Sequence, residues 1–495
     1  MSGRCCAAAA MLLLAGCAVG PAYRPAPVVP ATTEVGVTRR ADTTRAFFDS
    51  LAAARAADTI RPEVAPVSPR ALAVDSLTDL AWLDVLHDTT LDRLVRTALN
   101  QNRTLLAVRA MVREYRAEYG VVLSSLFPSL TLNGSWSRNK TVFPGFAVPP
   151  YTAWRGTGDL AWELNFWGVG RGLQAASADL AAREAAERAA VLTLVSDVAT
   201  GYLQVLELDQ ERAIAEQTLS SSQATLALAR ERYAQGLISE LDVRQFEAQV
   251  AVPAVRLAQV DQLRAVQEHA LDVLLGEGPV PIPRGGSLAA AAQAVTVPDS
   301  VPASLIYRRP DVEQAEREYA AATARIGVAQ AARLPTLSII GSYGSQSTTP
   351  GSAFSANARV YEALVGVSIP LFTGGRLDDE TRVARAQAEQ AQAAYQQAVL
   401  TALEEAGDAL SGVRDARDVA AAQQTQAAAL KRALDLAELR YNTGLSNYLE
   451  VLDAQRSLFA AQLAASQAEL QQLTAAVELY KALGGSWPGT PAPQR

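Results

Sequence analysis

Two stretches, residues 170–232 and 376–440, each run for more than 60 residues without a proline and carry apolar side chains at helical spacing. At about 1.5 Å per residue, each reaches roughly 90 to 100 Å as a helix, far beyond what a globular core requires. Rods of that length need partners along their sides. The composition suits such packing, since Ala, Leu, Gln, Glu and Arg dominate and aromatics make up only 6%.

Each rod runs into the same short motif. Arg232-Tyr233-Ala234-Gln235-Gly236-Leu237-Ile238-Ser239-Glu240-Leu241-Asp242-Val243 is matched by Arg440-Tyr441-Asn442-Thr443-Gly444-Leu445-Ser446-Asn447-Tyr448-Leu449-Glu450-Val451, with Asp453 two residues on. A second helical pattern leaves each motif, so both read as the bend of a helical hairpin. Glycine supplies the left-handed backbone that ends a helix, and Ser239 or Ser446 can cap the next one. Leu275-Gly276 and Leu483-Gly484 close the two return helices at matching positions. Pro253 should kink or break the first return helix. In the second, Leu449, Leu452, Phe459, Leu463, Leu470, Leu473, Val477 and Tyr480 form a heptad seam, with Arg456 and Ser466 at the two missing places.

Between the helices the period changes from 3.6 to 2. Leu130, Leu132 and Trp136 alternate with Ser129, Thr131, Asn133 and Ser135, and Leu160, Trp162, Leu164 and Phe166 alternate with Asp159, Ala161, Glu163 and Asn165. A loop rich in Pro and Gly, containing Phe143, Tyr151 and Trp154, joins these two. Two more strands are expected at residues 336–343 and 361–369. Each is about as long as a tilted bilayer-crossing strand, which needs roughly 9 to 11 residues. Two soluble hairpins would show the same alternation.

The amino terminus favours the membrane. All three cysteines, Cys5, Cys6 and Cys17, fall in the first 17 residues, so the body holds neither a disulfide nor a cysteine-based metal site. Arg4, an apolar run and a small-residue junction resemble an export signal, and Leu14-Ala15-Gly16-Cys17 resembles a lipobox that would leave Cys17 acylated. Ala18 after it implies onward transfer to the outer membrane by the usual bacterial sorting pattern. No later segment reads as the roughly 20 apolar residues of a membrane-spanning helix.

The chain thus divides into a signal peptide (1–16), a lipid-anchored extended segment (17–75) in which 47–57 could be helical, a first repeat (76–276), a linker (277–304), a second repeat (305–484) and a tail (485–495). Ordered structure is expected from Trp82-Leu83, with one helical pattern from Leu91 to about Leu123. The fold class is mainly α with a small β part and an internal duplication. Four strands cannot close a barrel, and open edges are not tolerated in hydrocarbon, so the chain must oligomerise. About eight strands from a dimer would be filled by side chains, whereas about twelve from a trimer leave a lumen. A homotrimeric channel follows, with the long helices forming an α-helical tube across the periplasm.

The lipobox, Val19-Gly20-Pro21, Tyr23-Arg24-Pro25, Arg308-Arg309-Pro310-Asp311-Val312, Ala315-Glu316, Ile326-Gly327, Leu334-Pro335 and the doubled tips together resemble the outer membrane efflux lipoproteins of the TolC/OprM type. The resemblance runs from Cys17 to Gly484. It implies a trimeric exit duct in outer membrane lipid, joined to a periplasmic adaptor and an inner-membrane transporter of the RND type. The family's gate positions fall on Tyr441, whose hydroxyl would tie the closed tip to a neighbouring helix, and on Asp242, Glu450 and Asp453. Ser446 stands where some relatives carry a gating Arg, and residues 31–69 are atypical. Gly236, Leu237, Ser239, Gly444, Leu445 and Ser446 are the expected adaptor-docking tips, against the simpler reading that they only end helices.

Other classes fit less well. With a formal net charge of -7 and no concentrated basic face, nucleic acid is not an expected partner. His87 and His269 are the only histidines, so no catalytic triad, metal or cofactor is expected beyond a lipid on Cys17. Gly168-Val169-Gly170-Arg171-Gly172 lacks dinucleotide spacing and reads as a hinge. A coiled-coil lipoprotein without a pore remains the alternative, though a spacer rod has no use for four strands. The cargo is not written in the sequence.

Overall fold

The computed structural model describes Gly20, Pro21, Tyr23, residues 34–36, 88–140, 142–143, 145–147, 149–294, 300–353, 355–443 and 445–485. Cys17, the 47–57 segment, Trp82-Leu83, His87 and Gly444 lie outside the described residues. In chain order the elements are strand β1 (Glu34–Gly36), helices α1 (Thr89–Gln101) and α2 (Arg103–Ser124), and strands β2 (Ser129–Asn139), β3 (Val142–Phe143), β4 (Phe146–Ala147) and β5 (Tyr151–Leu164). Helices α3 (Val169–Ala234), α4 (Glu240–Leu275) and α5 (Leu288–Ala294) follow, then strand β6 (Ser300–Pro302) and helix α6 (Pro310–Ala331). Strands β7 (Thr336–Ser347) and β8 (Arg359–Ser368) and helices α7 (Arg376–Asn442) and α8 (Tyr448–Ala482) complete it. They belong to two compact units.

The first unit, residues 1–26, 111–184 and 314–396, contains the four-stranded antiparallel sheet β2-β5-β7-β8. Its register sorts chemistry by face. Thr131, Asp159, Ser342 and Glu362 form one cross-strand row, and Asn133 donates to the Asp159 carboxylate at 2.6 Å. Side chains one residue along point to the other face, where Leu130 pairs with Leu160, Tyr343 with Tyr361, and Trp136 meets Trp154 at 6.3 Å. That apolar face is open in the single chain, with Leu132 and Tyr361 among its most exposed residues.

Two expectations change here. Tyr151 and Trp154 are not in a loop, because β5 begins at Tyr151 and its register with β2 continues to Asn139. Phe143 pairs with Phe146 in the small β3–β4 hairpin. Phe166 leaves the strand, since Asn165 turns the chain and accepts the Gly168 N–H at 3.0 Å. The Gly-rich run is a helix start at Val169, and Arg171 donates to the Gly20 carbonyl at 2.7 Å. Tyr23 packs edge-on against Tyr319 at 5.2 Å.

The second unit, residues 27–110, 185–313 and 397–495, is helical. Val195, Val198, Tyr202 and Leu203 of α3 pack with Leu91 and Val95 of α1, Leu271 and Leu275 of α4, and Leu473 and Val477 of α8. Each fully buried side chain of this kind contributes on the order of 1.5–3 kcal/mol. The most apolar stretch of α3 is in fact long and apolar enough to cross a membrane, contrary to the sequence reading, but most of it is buried inside the protein.

Local details revise the pattern further. The helical periodicity from Leu91 onward hides a break at Asn102, whose Oδ1 accepts the Leu105 N–H at 2.8 Å while Nδ2 donates to the Leu274 carbonyl at 2.9 Å. Gly276, at φ 75, ends α4 with its backbone pressed on Gln101, where any Cβ would collide with the carbonyl. Pro253 does not break α4; it is buried within one continuous helix, so the packing of the flanking turns outweighs a penalty of about 3 kcal/mol. The 277–304 connector is not loose, since Ile282 and Leu288 join the core and β6 pairs with β1. In α8, Leu449 is exposed and drops out of the seam. His269 is likewise exposed, on α4. The Arg-Arg-Pro-Asp motif is explained by Arg309, whose buried guanidinium reaches Asp311 at 2.7 Å, Glu405, and the Ala482 carbonyl at 3.0 Å.

Candidate functional site

The two helical bends lie together in the second unit and are built alike. Leu237 N–H donates to the Arg232 carbonyl at 2.9 Å, and Leu445 N–H donates to the Arg440 carbonyl at 2.8 Å. In the first copy this is the closing bond of a helix that ends in a left-handed residue, Gly236 at φ 72. Downstream the copies diverge. Ser239 caps α4 in a reciprocal box: its hydroxyl accepts the Asp242 N–H at 3.3 Å, and Asp242 Oδ2 accepts the Ser239 N–H at 2.9 Å. Ser446 is not the second cap. Asn447 holds that position without a side-chain bond, and the Ser446 hydroxyl has no partner among the described residues.

Aromatic packing joins the copies. Phe246 lies 3.7 Å from Tyr448 between ring centres, Tyr441 meets Tyr448 edge-on at 5.4 Å, and the Arg232 guanidinium sits 4.9 Å over the Tyr441 ring. Leu226, Val243, Val451 and Leu452 fill the core beneath. Burial first, and then Tyr441, push the Tyr448 phenol up, so it remains neutral. Phe246, Tyr441 and Tyr448, with Gly236, Ser239, Asp242 and Asn447, line a cavity of about 540 Å³.

The expected site residues therefore separate by environment. Asp242 is committed to the cap of α4. Glu450 lies 3.9 Å from Arg440, and Asp453 is exposed. Leu237, Leu241, Leu445 and Leu449 occupy equivalent positions in the two copies and are 67%, 66%, 74% and 53% exposed. Phe246 and Tyr448 were not expected from the sequence as site residues, and Arg232 was read only as part of the repeated Arg-Tyr motif. Among the described residues, no group of His, Cys, Asp and Glu has an arrangement that could hold a metal ion.

Residues 94–277 and 301–485 match the outer membrane efflux protein family. The chain belongs to that family. A relative described as a probable efflux pump outer membrane protein, TtgC of Pseudomonas putida, is 32% identical over 435 residues, covering 86% of this chain and 89% of TtgC. The solved structure of CusC, described in terms of transmembrane channel formation, superposes with a TM-score of 0.80 at 26% identity, covering 95% of this efflux protein and 100% of CusC. The open-state structure of the Neisseria gonorrhoeae MtrE outer membrane channel gives a TM-score of 0.74 at 28% identity, covering 80% and 89%.

This efflux protein is accordingly a trimeric outer membrane channel. Each chain gives four strands to a shared transmembrane β-barrel and its long helices to a periplasmic α-barrel. It conducts the export of small molecules as the outer membrane part of a tripartite efflux system, not as a rod without a pore. A transporter and an adaptor are therefore its partners.

Proposed function

We propose that the doubled tip both docks the periplasmic adaptor and gates the duct. The carrying observation is the pair of equivalent exposed leucines, Leu237 with Leu241 and Leu445 with Leu449, on an aromatic core that joins the two copies. Exposed leucines in matched positions give a partner two similar apolar footholds, while Gly236 and Gly444 let its backbone approach, with Ser239 and Ser446 alongside. Tyr441, Glu450 and Asp453 are the gate residues in this reading. Asp242 supports the gate from the cap of α4. MtrE, a relative, was solved in an open state, which supports a tip that changes conformation.

The resemblance to TolC/OprM-type lipoproteins supports three finer assignments. The transporter is of the RND type, the mature chain is held to outer membrane lipid through acylated Cys17, and no other cofactor is needed. Replacing Leu237 and Leu445 together with Glu tests the docking claim. Efflux should fail while trimers still reach the outer membrane, and adaptor crosslinking at the tip should disappear. Full efflux and undiminished crosslinking would overturn it.

A further inference from the structure

The heptad seam of α8 is interrupted at Arg456 and Ser466, and the structure shows what each break meets. Arg456 donates to Gln249 of α4 at 2.9 Å. Ser466 is fully buried, and its hydroxyl faces the Glu207 carboxyl. Against it α3 brings Glu207, 5% exposed, and one turn further on Glu211, 1% exposed. Glu211 is satisfied by Arg256 of α4 and by Gln467 of α8, which donates at 3.1 Å. Glu207 is satisfied only in part: it meets Glu211 and Ser466, but its Oε1 has no partner among the described residues.

Glu469 of α8 also faces this layer, and its oxygens accept from Gln210 at 3.1 Å and from Gln424 of α7 at 3.0 Å. Three carboxylates thus face one guanidinium in a water-poor interior. With every group ionised the layer would carry two uncompensated negative charges, a costly state at low dielectric. A bound metal fits poorly, because Arg256 and the three glutamines already occupy Glu211 and Glu469. A proton fits, because it neutralises Glu207 and turns it into a donor.

We propose that Glu207, packed beside Glu211, is a proton-binding site in the helical wall, holding one proton at neutral pH that secures α3 against α8 where the seam is broken. Burial first, and the Glu211 charge second, hold the Glu207 carboxyl well above the usual carboxylate range, while the hydrogen bond from Ser466 lowers it. The sign of the pH effect follows. The folded state keeps a proton that the unfolded chain releases near its ordinary value of about 4.3. The stabilisation is complete below that value and is lost as pH rises through the folded one.

The test uses the lipidated trimer in lipid nanodiscs. Infrared spectra should show a protonated carboxylic acid at neutral pH that disappears at alkaline pH and is absent from Glu207→Gln. Thermal unfolding of the wild type should fall by several degrees from neutral to alkaline pH, and the variant should lose that dependence. Should Glu207→Gln not assemble, Ser466→Ala decides, because loss of the hydroxyl must move the titration of the band upward. Absence of the band from the wild type, its survival in Glu207→Gln, an unmoved midpoint in Ser466→Ala, or a pH dependence abolished by calcium would each overturn the proposal.

Discussion

The guanidinium of Arg232, at the end of α3, is held 4.9 Å over the ring of Tyr441, at the end of α7. The attraction is between a cation and the face of the ring, so the ring matters more than the hydroxyl named in the sequence reading. Tyr441→Phe should therefore conduct much as the wild type does, whereas Tyr441→Leu and Arg232→Gln should open more readily. A loss of about 0.5–1 kcal/mol corresponds to roughly a two- to five-fold shift toward the open state. Single-channel recording in planar bilayers measures it, and a widely open Tyr441→Phe would return the role to the hydroxyl.

Glu450 and Asp453 should affect ion preference without affecting stability. Both are exposed, and the only cation near Glu450 is Arg440 at 3.9 Å among the described residues. In a trimer each level of acids is repeated three times, which favours cations. The double variant Glu450→Ala with Asp453→Ala should show reduced cation preference in its reversal potential, more so at low ionic strength, with an unchanged melting temperature. Wild-type selectivity would place both acids outside the conduction path.

Asp242 should behave in the opposite way to its counterpart Glu450. Its carboxylate closes the Ser239 cap, accepting the Ser239 N–H at 2.9 Å and its hydroxyl at 2.7 Å. Ser239→Ala should cost about 1 kcal/mol, read as faster hydrogen exchange in the first turn of α4. Asp242→Ala should loosen the same turn, while reversal potentials stay near wild type. A selectivity change with no change in exchange would make Asp242 a gate acid.

Cys17→Ser should abolish acyl labelling and leave the body able to fold. The described residues nearest to it are already seated: Gly20 accepts from Arg171 and Tyr23 packs on Tyr319. Metabolic labelling with a fatty acid reports the result directly. Incorporation unchanged by the substitution would remove the lipid assignment.

Much of this was legible because two periods survive in the sequence. Leu130, Leu132 and Trp136 read as one face at period 2, and the register places them there. The hairpin ends were marked by glycines whose backbone demands are local. The rest depends on distant neighbours. Pro149 and Pro150 drew Tyr151 and Trp154 into an apparent loop, while the pairing that makes them strand lies on β2. Pro253 stays helical through burial that local propensity does not contain. Glu207 and Glu211, spaced one turn apart, look like a solvated face until α4 and α8 close over them. Ser446 reads as a cap from its place near the glycine, yet Asn447 is the residue equivalent to Ser239.

The sheet ends in two unpaired edges, β2 on one side and β8 on the other. A ring closed from such sheets has no tolerance for a missing seam, because one faulty edge leaves backbone groups bare in hydrocarbon for all three subunits. In cells expressing both alleles, a variant damaged only along β8 would behave as a dominant poison. The yield of sound channels would then fall with the cube of the wild-type fraction, so the gene dosage curve would report the subunit number.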